Sequence, residues 1–381
     1  MIVSYYFSSP EGDVSVDDAT LARPFVLRPL EGHPFMTLGD FFTAVKDFIL
    51  SDSGQSLVNL LAGLQGRELK LDDVEKIIIR YEKYGVLYQI SSAEVLAGGQ
   101  RAKFAVNTAI SDPAKETLQY EFDLLQFLSR QRKPSYLPSV YYRETMAVRR
   151  EEGSETLFMT LSEWFEDYHE WHFSLDEYGR ERIIIWDMGG GWRFVSESEA
   201  YEIIRQASRI LTLYYGVKSY CMIYPWHHGA GDFVVKIRNG IVEVKLVTAR
   251  GYRPLTLSTK DRGATPLEAL LLFFLNTTVK MRLDKKEGMG EPYWAGTAVL
   301  KAVMDGFIDA LRIESEDAFP ATGATDIVSF LKSMSERDIK TLLYSLMDEY
   351  RLHDPTDAAF IQTHLDTHAG DLCLVIQSFS R

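Results

Sequence analysis

Two histidines, a carboxylate and two glycines fall within six residues, His227-His228-Gly229-Ala230-Gly231-Asp232. Histidine changes charge near neutral pH and a carboxylate can hold a proton or a cation, so this set is suited to proton transfer, phosphate contact or metal binding. It lies between Met222-Ile223-Tyr224-Pro225-Trp226 and an apolar run at 233–237, followed by Asn239-Gly240 and a second run at 241–247. Asn-Gly between apolar runs predicts a β-hairpin, which places the candidate chemistry on a loop held by rigid strands. The residues also admit a quieter assignment. One histidine caps a turn while the other packs, and Asp232 fixes the loop by accepting backbone N–H groups.

The elements around this loop fall into three stretches. Residues 1–35, interrupted by Pro10, Pro24, Pro29 and Pro34, are expected to be irregular. Thr37 caps a predicted helix over 38–50, and a second spans 55–64 and stops at Gly66, giving a helical extension over 1–74. Residues 75–165 are β-rich, with strands at 77–81, 85–96 and 102–110, a Gly98-Gly99 turn, a helix opened by Asp112 and Pro113, and strands at 136–143 and 157–161. Within the third strand Lys103, Ala105 and Asn107 share one face. Residues 163–173, dense in aromatics, carboxylates and histidines, are expected to form a connector into a mainly helical region over 166–381. There, Ile183 to Asp187 is a predicted strand, Gly189-Gly190-Gly191 a turn, and Ser196 with Glu199 a capping box opening a helix to about 215. Helices are predicted at 266–284, 293–311, 326–332, 336–350 and 356–379, the last broken near Gly370.

The 381 residues exceed what one small core organises. A 46% apolar and 25% charged composition is that of a globular protein, and no run approaches the roughly 18 apolar residues of a membrane span. A net charge of −13 argues against nucleic acid as partner. Two cysteines, Cys221 and Cys373, in apolar settings fit buried thiols in a reducing cytoplasm, and the first residues carry no basic leader.

The order of sheet with a turn, helix after the third strand, connector, long helix, loop, hairpin and helical tail resembles the protein-kinase-like superfamily, in the style of aminoglycoside and choline phosphotransferases. That resemblance covers about residues 75–310. It implies a two-lobed α+β fold, a small antiparallel sheet lobe plus a larger helical lobe, with the 1–74 extension outside it. It further implies that Gly98 and Gly99 cover nucleotide phosphates, that the strand Phe104 to Asn107 takes the place of the lysine strand, and that Glu121 pairs with the phosphate-holding lysine. ATP and Mg2+ are the implied cofactors.

The chain departs from this pattern at the positions phosphoryl transfer uses. Asn107 stands in register with the lysine, with Lys103 earlier on the same face. If Asp232 matches the catalytic aspartate, Ile237 replaces the asparagine five residues on. If Asp232 takes the place of that metal-binding asparagine, which suits the hairpin better, His227 takes the catalytic aspartate's. At the end of the second strand, Lys245-Leu246-Val247-Thr248 replaces the second metal carboxylate, and a lysine supplies charge but no cation ligand. The expectation is a kinase-like protein with a degenerate site. Asp232, His227 and His228 are its candidate catalytic groups, and Asp232 its candidate metal ligand. Lys103, Asn107, Glu121, Gly98, Gly99 and Lys245 are candidate contacts to a nucleotide or other anionic small molecule. The alternative is a non-enzymatic regulatory or scaffold protein without nucleotide, meeting a protein partner through residues 1–74. A third class, a histidine-based hydrolase or transferase, requires His227 or His228 paired with a distant carboxylate.

Smaller motifs carry less. His364 and His368, four apart on a helix near Asp371, have the spacing of a zinc pair but no third ligand at a diagnostic spacing. His169 and His172 flank Trp171 as possible ligands or cleft residues. Gly189-Gly190-Gly191 lacks a dinucleotide context, Gly288-Met289-Gly290 is a loop, and neither a Gly-x-Ser-x-Gly elbow nor a Walker loop occurs.

Overall fold

The structure, a computed structural model, describes residues 1–381 except 10, 29, 30, 86, 188–190, 256–262, 264, 289, 315–323 and 381. Pro10, Pro29, Gly189, Gly190 and Met289 therefore lie outside the described residues. Helix at 44% and strand at 32% place the chain in the mixed α+β class. It divides into two compact units, 1–166 with 188–190, and 167–187 with 191–381.

The first unit runs β1 (Ile2–Phe7), β2 (Val14–Ser15), α1 (Asp18–Leu21), β3 (Pro24–Arg28), β4 (Glu31–Thr37), α2 (Leu38–Ile49), α3 (Gln55–Gln65), β5 (Val74–Tyr84), β6 (Gln89–Ala97), β7 (Gln100–Ala109), α4 (Asp112–Ser129), β8 (Val140–Arg150) and β9 (Gly153–Glu163). Seven strands form one sheet in the order β2-β1-β5-β6-β7-β9-β8, with β1 parallel to β5 and the other pairings antiparallel. The capping box of Thr37 and Asp40 starts α2, and Gly66 in left-handed conformation ends α3, as their residue types require. Helix α4 has Ser111 at its N-cap position, one residue before the Asp112 expected there, without a side-chain capping bond.

Residues 1–35 are not irregular. Pro24 and Pro34 sit in the two-stranded ribbon β3–β4, Pro24 at the first residue of its strand, and in such an isolated pair each strand is an edge, where proline is tolerated. Nor do residues 1–74 stand apart. Phe41, Phe42, Val45, Phe48 and Leu57 from α2 and α3 share one core with Ile77, Ile79, Ala93, Val95, Phe104, Val106 and Leu161 of the sheet. The opposite sheet face meets α4 through Ala109, Ala114, Leu118 and Phe158. Because side chains alternate, Lys103, Ala105 and Asn107 lie on the α4 face.

The second unit runs β10 (His169–Leu175), β11 (Glu181–Asp187), β12 (Gly191–Phe194), α5 (Glu197–Leu213), β13 (Met222–Ile223), β14 (Phe233–Arg238), β15 (Ile241–Leu246), β16 (Tyr252–Arg253), α6 (Pro266–Arg282), β17 (Leu283–Lys285), β18 (Pro292–Trp294), α7 (Ala298–Glu314), α8 (Ala324–Ser333), α9 (Glu336–Ser345), α10 (Met347–His353) and α11 (Pro355–Ser378). Its main sheet has the order β12-β11-β10-β14-β15, and the Asn239-Gly240 turn, with φ of 52° and 76°, joins β14 to β15. Of the stretch expected as a connector, 163–173, residues 164–168 link two strands and 169–173 belong to the central strand β10. Its alternation of Trp171 and Phe173 against Glu170 and His172 is a strand pattern that the density of polar aromatics concealed. The helix expected over 336–350 is two, α9 and α10, meeting at buried Leu346, whereas α11 passes Gly370 unbroken.

Phe42 tests whether the first 74 residues are part of the sheet's own core. Its ring is fully buried and lies 4.9 Å from Tyr5 of β1. Phe42→Ala is expected to cost about 3–5 kcal/mol in urea unfolding. The first unit should then melt as one transition by helix and strand signals alike. A native sheet surviving loss of the helices would contradict the shared core.

Candidate functional site

Strand β13 and the start of β14 are the fixed ends of the loop 224–232, and Asp232 is its best-anchored residue. The Asp232 side chain is 1% exposed. One carboxylate oxygen accepts the backbone N–H of His227 at 2.8 Å, and the Arg250 guanidinium donates to both oxygens, with Nη2 2.6 Å from Oδ1. The Asp232 carbonyl accepts the Val247 N–H at 2.8 Å, tying the loop to the end of β15. A buried carboxylate needs a cation and several donors to offset lost hydration, and here all are internal.

A second buried carboxylate, Asp284 of β17, organises the histidines. It is wholly inaccessible and accepts the backbone N–H groups of Phe173 and Lys285, each at 2.7 Å. His172 Nδ1 lies 3.4 Å from one of its oxygens and His228 Nδ1 3.7 Å from the other. These partners hold Asp284 ionised, below the usual carboxylate range, even though burial pushes the other way. Gly229 is required by this approach, because a Cβ there would stand 2.4 Å from Asp284 Oδ1.

His227 turns the other way, its Nε2 3.6 Å from Asp357 Oδ2 near the start of α11. Burial depresses its pKa well below the ordinary histidine value, and the charge on Lys280 adds to this. Lys280, fully buried on α6, is 3.3 Å from Asp354 Oδ2, which also accepts the Tyr224 hydroxyl at 2.6 Å. Burial raises the pKa of Asp357, and the neighbouring Asp354 works in the same direction. Each histidine of the loop therefore has a carboxylate distant in sequence, at ion-pair rather than hydrogen-bond separation.

Lys245 is not part of this cluster's core-facing layer. It lies opposite Val234 in the hairpin, on the face away from Phe233, Val235, Val244 and Leu246. Where the sequence offered Lys245 to Thr248 in place of a metal carboxylate, the residue that reaches Asp232 is Arg250. That signal was an arginine ending the apolar run Val247-Thr248-Ala249, and reading the replacement only as far as 248 misses it. Asp284, Lys280 and Asp357 had no motif at all, since their roles arise from packing between α6, β17 and α11.

In the first unit the candidate nucleotide contacts have other partners. Lys103 pairs with Glu82 at 3.3 Å and lies over the Trp164 ring at 4.0 Å, so the expected pair with Glu121 is not made. Glu121 is buried and accepts the Tyr88 hydroxyl at 2.5 Å. Asn107 lies half-buried between Ile90 and Thr160 of the flanking strands. Gly98 and Gly99, with φ of 54° and 76°, make the β6–β7 turn, which residues with a Cβ adopt only with strain. Their N–H groups donate to the Asp73 carbonyl and the Glu75 carboxylate, both at 3.0 Å, while Arg67 donates to the Gly98 carbonyl at 2.5 Å. The same sheet face carries Arg80 against Asp13 and Glu94, and Arg101 against Glu94 and Glu166.

The zinc-like pair dissolves on inspection of its geometry. His368 is buried, with Nε2 3.0 Å from Thr278 Oγ1 and Nδ1 3.3 Å from Arg282, and burial beside that guanidinium drops its pKa to about 3. His364 is stacked on Trp294 instead. His169 lies 3.9 Å from Asp187, while His172 belongs to the Asp284 cluster. Among the described residues no group of three or more His, Cys, Asp and Glu side chains could hold a metal, and no helix is long and apolar enough to cross a membrane.

The Asp232–Arg250 pair is testable by a double-mutant cycle. Arg250→Ala strands a buried carboxylate and is expected to cost about 3 kcal/mol, toward the low end for buried pairs because Arg250 keeps 28% of its side chain exposed. Asp232→Asn in the Arg250→Ala background should recover much of that loss in denaturant unfolding. Additive losses would mean that the two side chains are not coupled. Neither a protein-family model nor a curated protein sequence matches this chain.

Proposed function

We propose that this chain is a kinase-like protein that has exchanged phosphoryl-transfer machinery for internal ion pairs, and that it works as a non-enzymatic regulatory or scaffold protein without bound nucleotide. The element order supports the kinase-like part of this reading. A helix follows the third strand of the β5–β6–β7 meander, and a long helix, a loop, a hairpin and a helical tail come later, although the strands β10 to β12 stand where the resemblance has a connector. The single observation that carries the rest is the Asp232–Arg250 pair. In the register favoured by the hairpin, Asp232 takes the place of a metal-binding asparagine, and Arg250 supplies it with the positive charge that magnesium supplies in an active enzyme. The lysine and glycine positions agree with this reading. Lys103 is neutralised by Glu82, and the amides of the Gly98-Gly99 turn face an acceptor carbonyl and a carboxylate, which oppose a phosphate. A partner at residues 1–74 would meet the polar outer faces of α2 and α3, because their apolar faces are spent on the sheet.

Thermal unfolding with ATP, in the presence and absence of Mg2+, tests the proposal. A ligand at 100 times its Kd adds about 2.7 kcal/mol of stability, which moves the midpoint by several degrees. No shift is expected at millimolar nucleotide in either condition. A Mg2+-dependent shift abolished by Asp232→Asn would establish the opposite reading, a working nucleotide site.

A further inference from the structure

His228 is completely enclosed. Its ring lies flat on Trp171, with centroids 4.7 Å and planes 5° apart, and meets Phe173 edge-on at 5.7 Å. The ring faces the Met281 backbone, and the nearest carboxylate oxygen stands 3.7 Å away on Asp284. Loop 226–232 is thus held to β10 and β17 by an aromatic stack and the close backbone approach at Gly229. Such a contact is favourable for a neutral imidazole, which stacks as an apolar ring, and unfavourable for an imidazolium that must be hydrated.

We propose that loop 226–232 is an acid-released latch, docked while His227 and His228 are neutral and undocked when they take up protons. The groups facing the two rings come from every neighbouring element. They are Glu170, against Gly231, and His172 from β10; Asp284 and Lys285 from β17; Lys280 from α6; Asp354 and Asp357 at the start of α11; Arg250 beyond β15; and Asp232 of the loop itself. Asp284 favours protonation of His228, which His172 and Lys280 oppose, while Lys280, His228, Lys285 and Arg250 oppose protonation of His227. Burial outweighs these charges, and both imidazoles are pushed below the ordinary histidine value. A released loop titrates near pH 6.5, so it binds more protons than the docked one below that pH. Docking is therefore complete above about pH 6.5 and weakens as pH falls, by up to about tenfold per pH unit for each histidine. Release bares His227 and the Asp232–Arg250 pair, which gives the protein a surface present only in mild acid.

Hydrogen–deuterium exchange of the full chain reads this directly, with peptides across 224–234 compared with α7 after correction for the intrinsic pH dependence of exchange. Between about pH 7 and pH 5.5, protection at 224–234 is expected to fall at least about tenfold while α7 is unchanged. His228→Phe keeps a flat ring on Trp171 that cannot be charged, so the fall should shrink to what His227 alone contributes. Protection that is independent of pH, or an undiminished fall in His228→Phe, overturns the latch. If that variant does not fold, NMR titration of the wild-type imidazoles replaces it. His228 remaining neutral in the docked loop at about pH 6 supports the proposal, and ordinary titration at or above 6.5 overturns it.

Discussion

Carboxylates removed from water must find cations and donors within the protein, and the second unit is arranged around two that do. Asp232 closes the end of the β14–β15 hairpin by taking Arg250 and the His227 amide. Asp284 joins β10, β17 and the histidine loop by taking two backbone amides and standing between two imidazoles. Removal of either leaves a buried donor set without its acceptor, which is more costly than never having built the cluster. The loop that concentrates histidine and aspartate is therefore fixed from both sides by internal electrostatics.

The same economy runs through the first unit. Its α4-side face carries Arg80, Arg101, Lys103 and Arg143, each matched by glutamate or aspartate on the sheet or beside it. The other face is apolar and is buried by α2 and α3, so the N-terminal 74 residues complete the sheet's core. With α2 and α3 on one face and α4 beside these ion pairs on the other, the cations of the sheet are matched by internal carboxylates, which supports the regulatory reading.

Much of this was legible in the residues. Local rules placed the caps at Thr37 and Ser196, the stops at Gly66 and Asn239-Gly240, and most of the helical tail, because those signals depend on backbone geometry within a few residues. The strand β10 escaped because His169, Glu170 and His172 look like a polar connector, whereas in the fold His172 is buried along with Trp171 and Phe173. The prolines of β3 and β4 misled because the rule against proline in strands weakens in a two-stranded ribbon.

The candidate site divides in the same way. By itself the sequence determined that His227, His228 and Asp232 lie on one short loop before a hairpin. Their partners were decided only by tertiary structure. Arg250 lies 18 residues from Asp232, Asp284 56 residues from His228 and Asp357 130 from His227. Pairings at such separations follow from how α6, β17 and α11 pack around the loop. No local rule carries them, because the energy of a buried charge depends on everything that surrounds it in space.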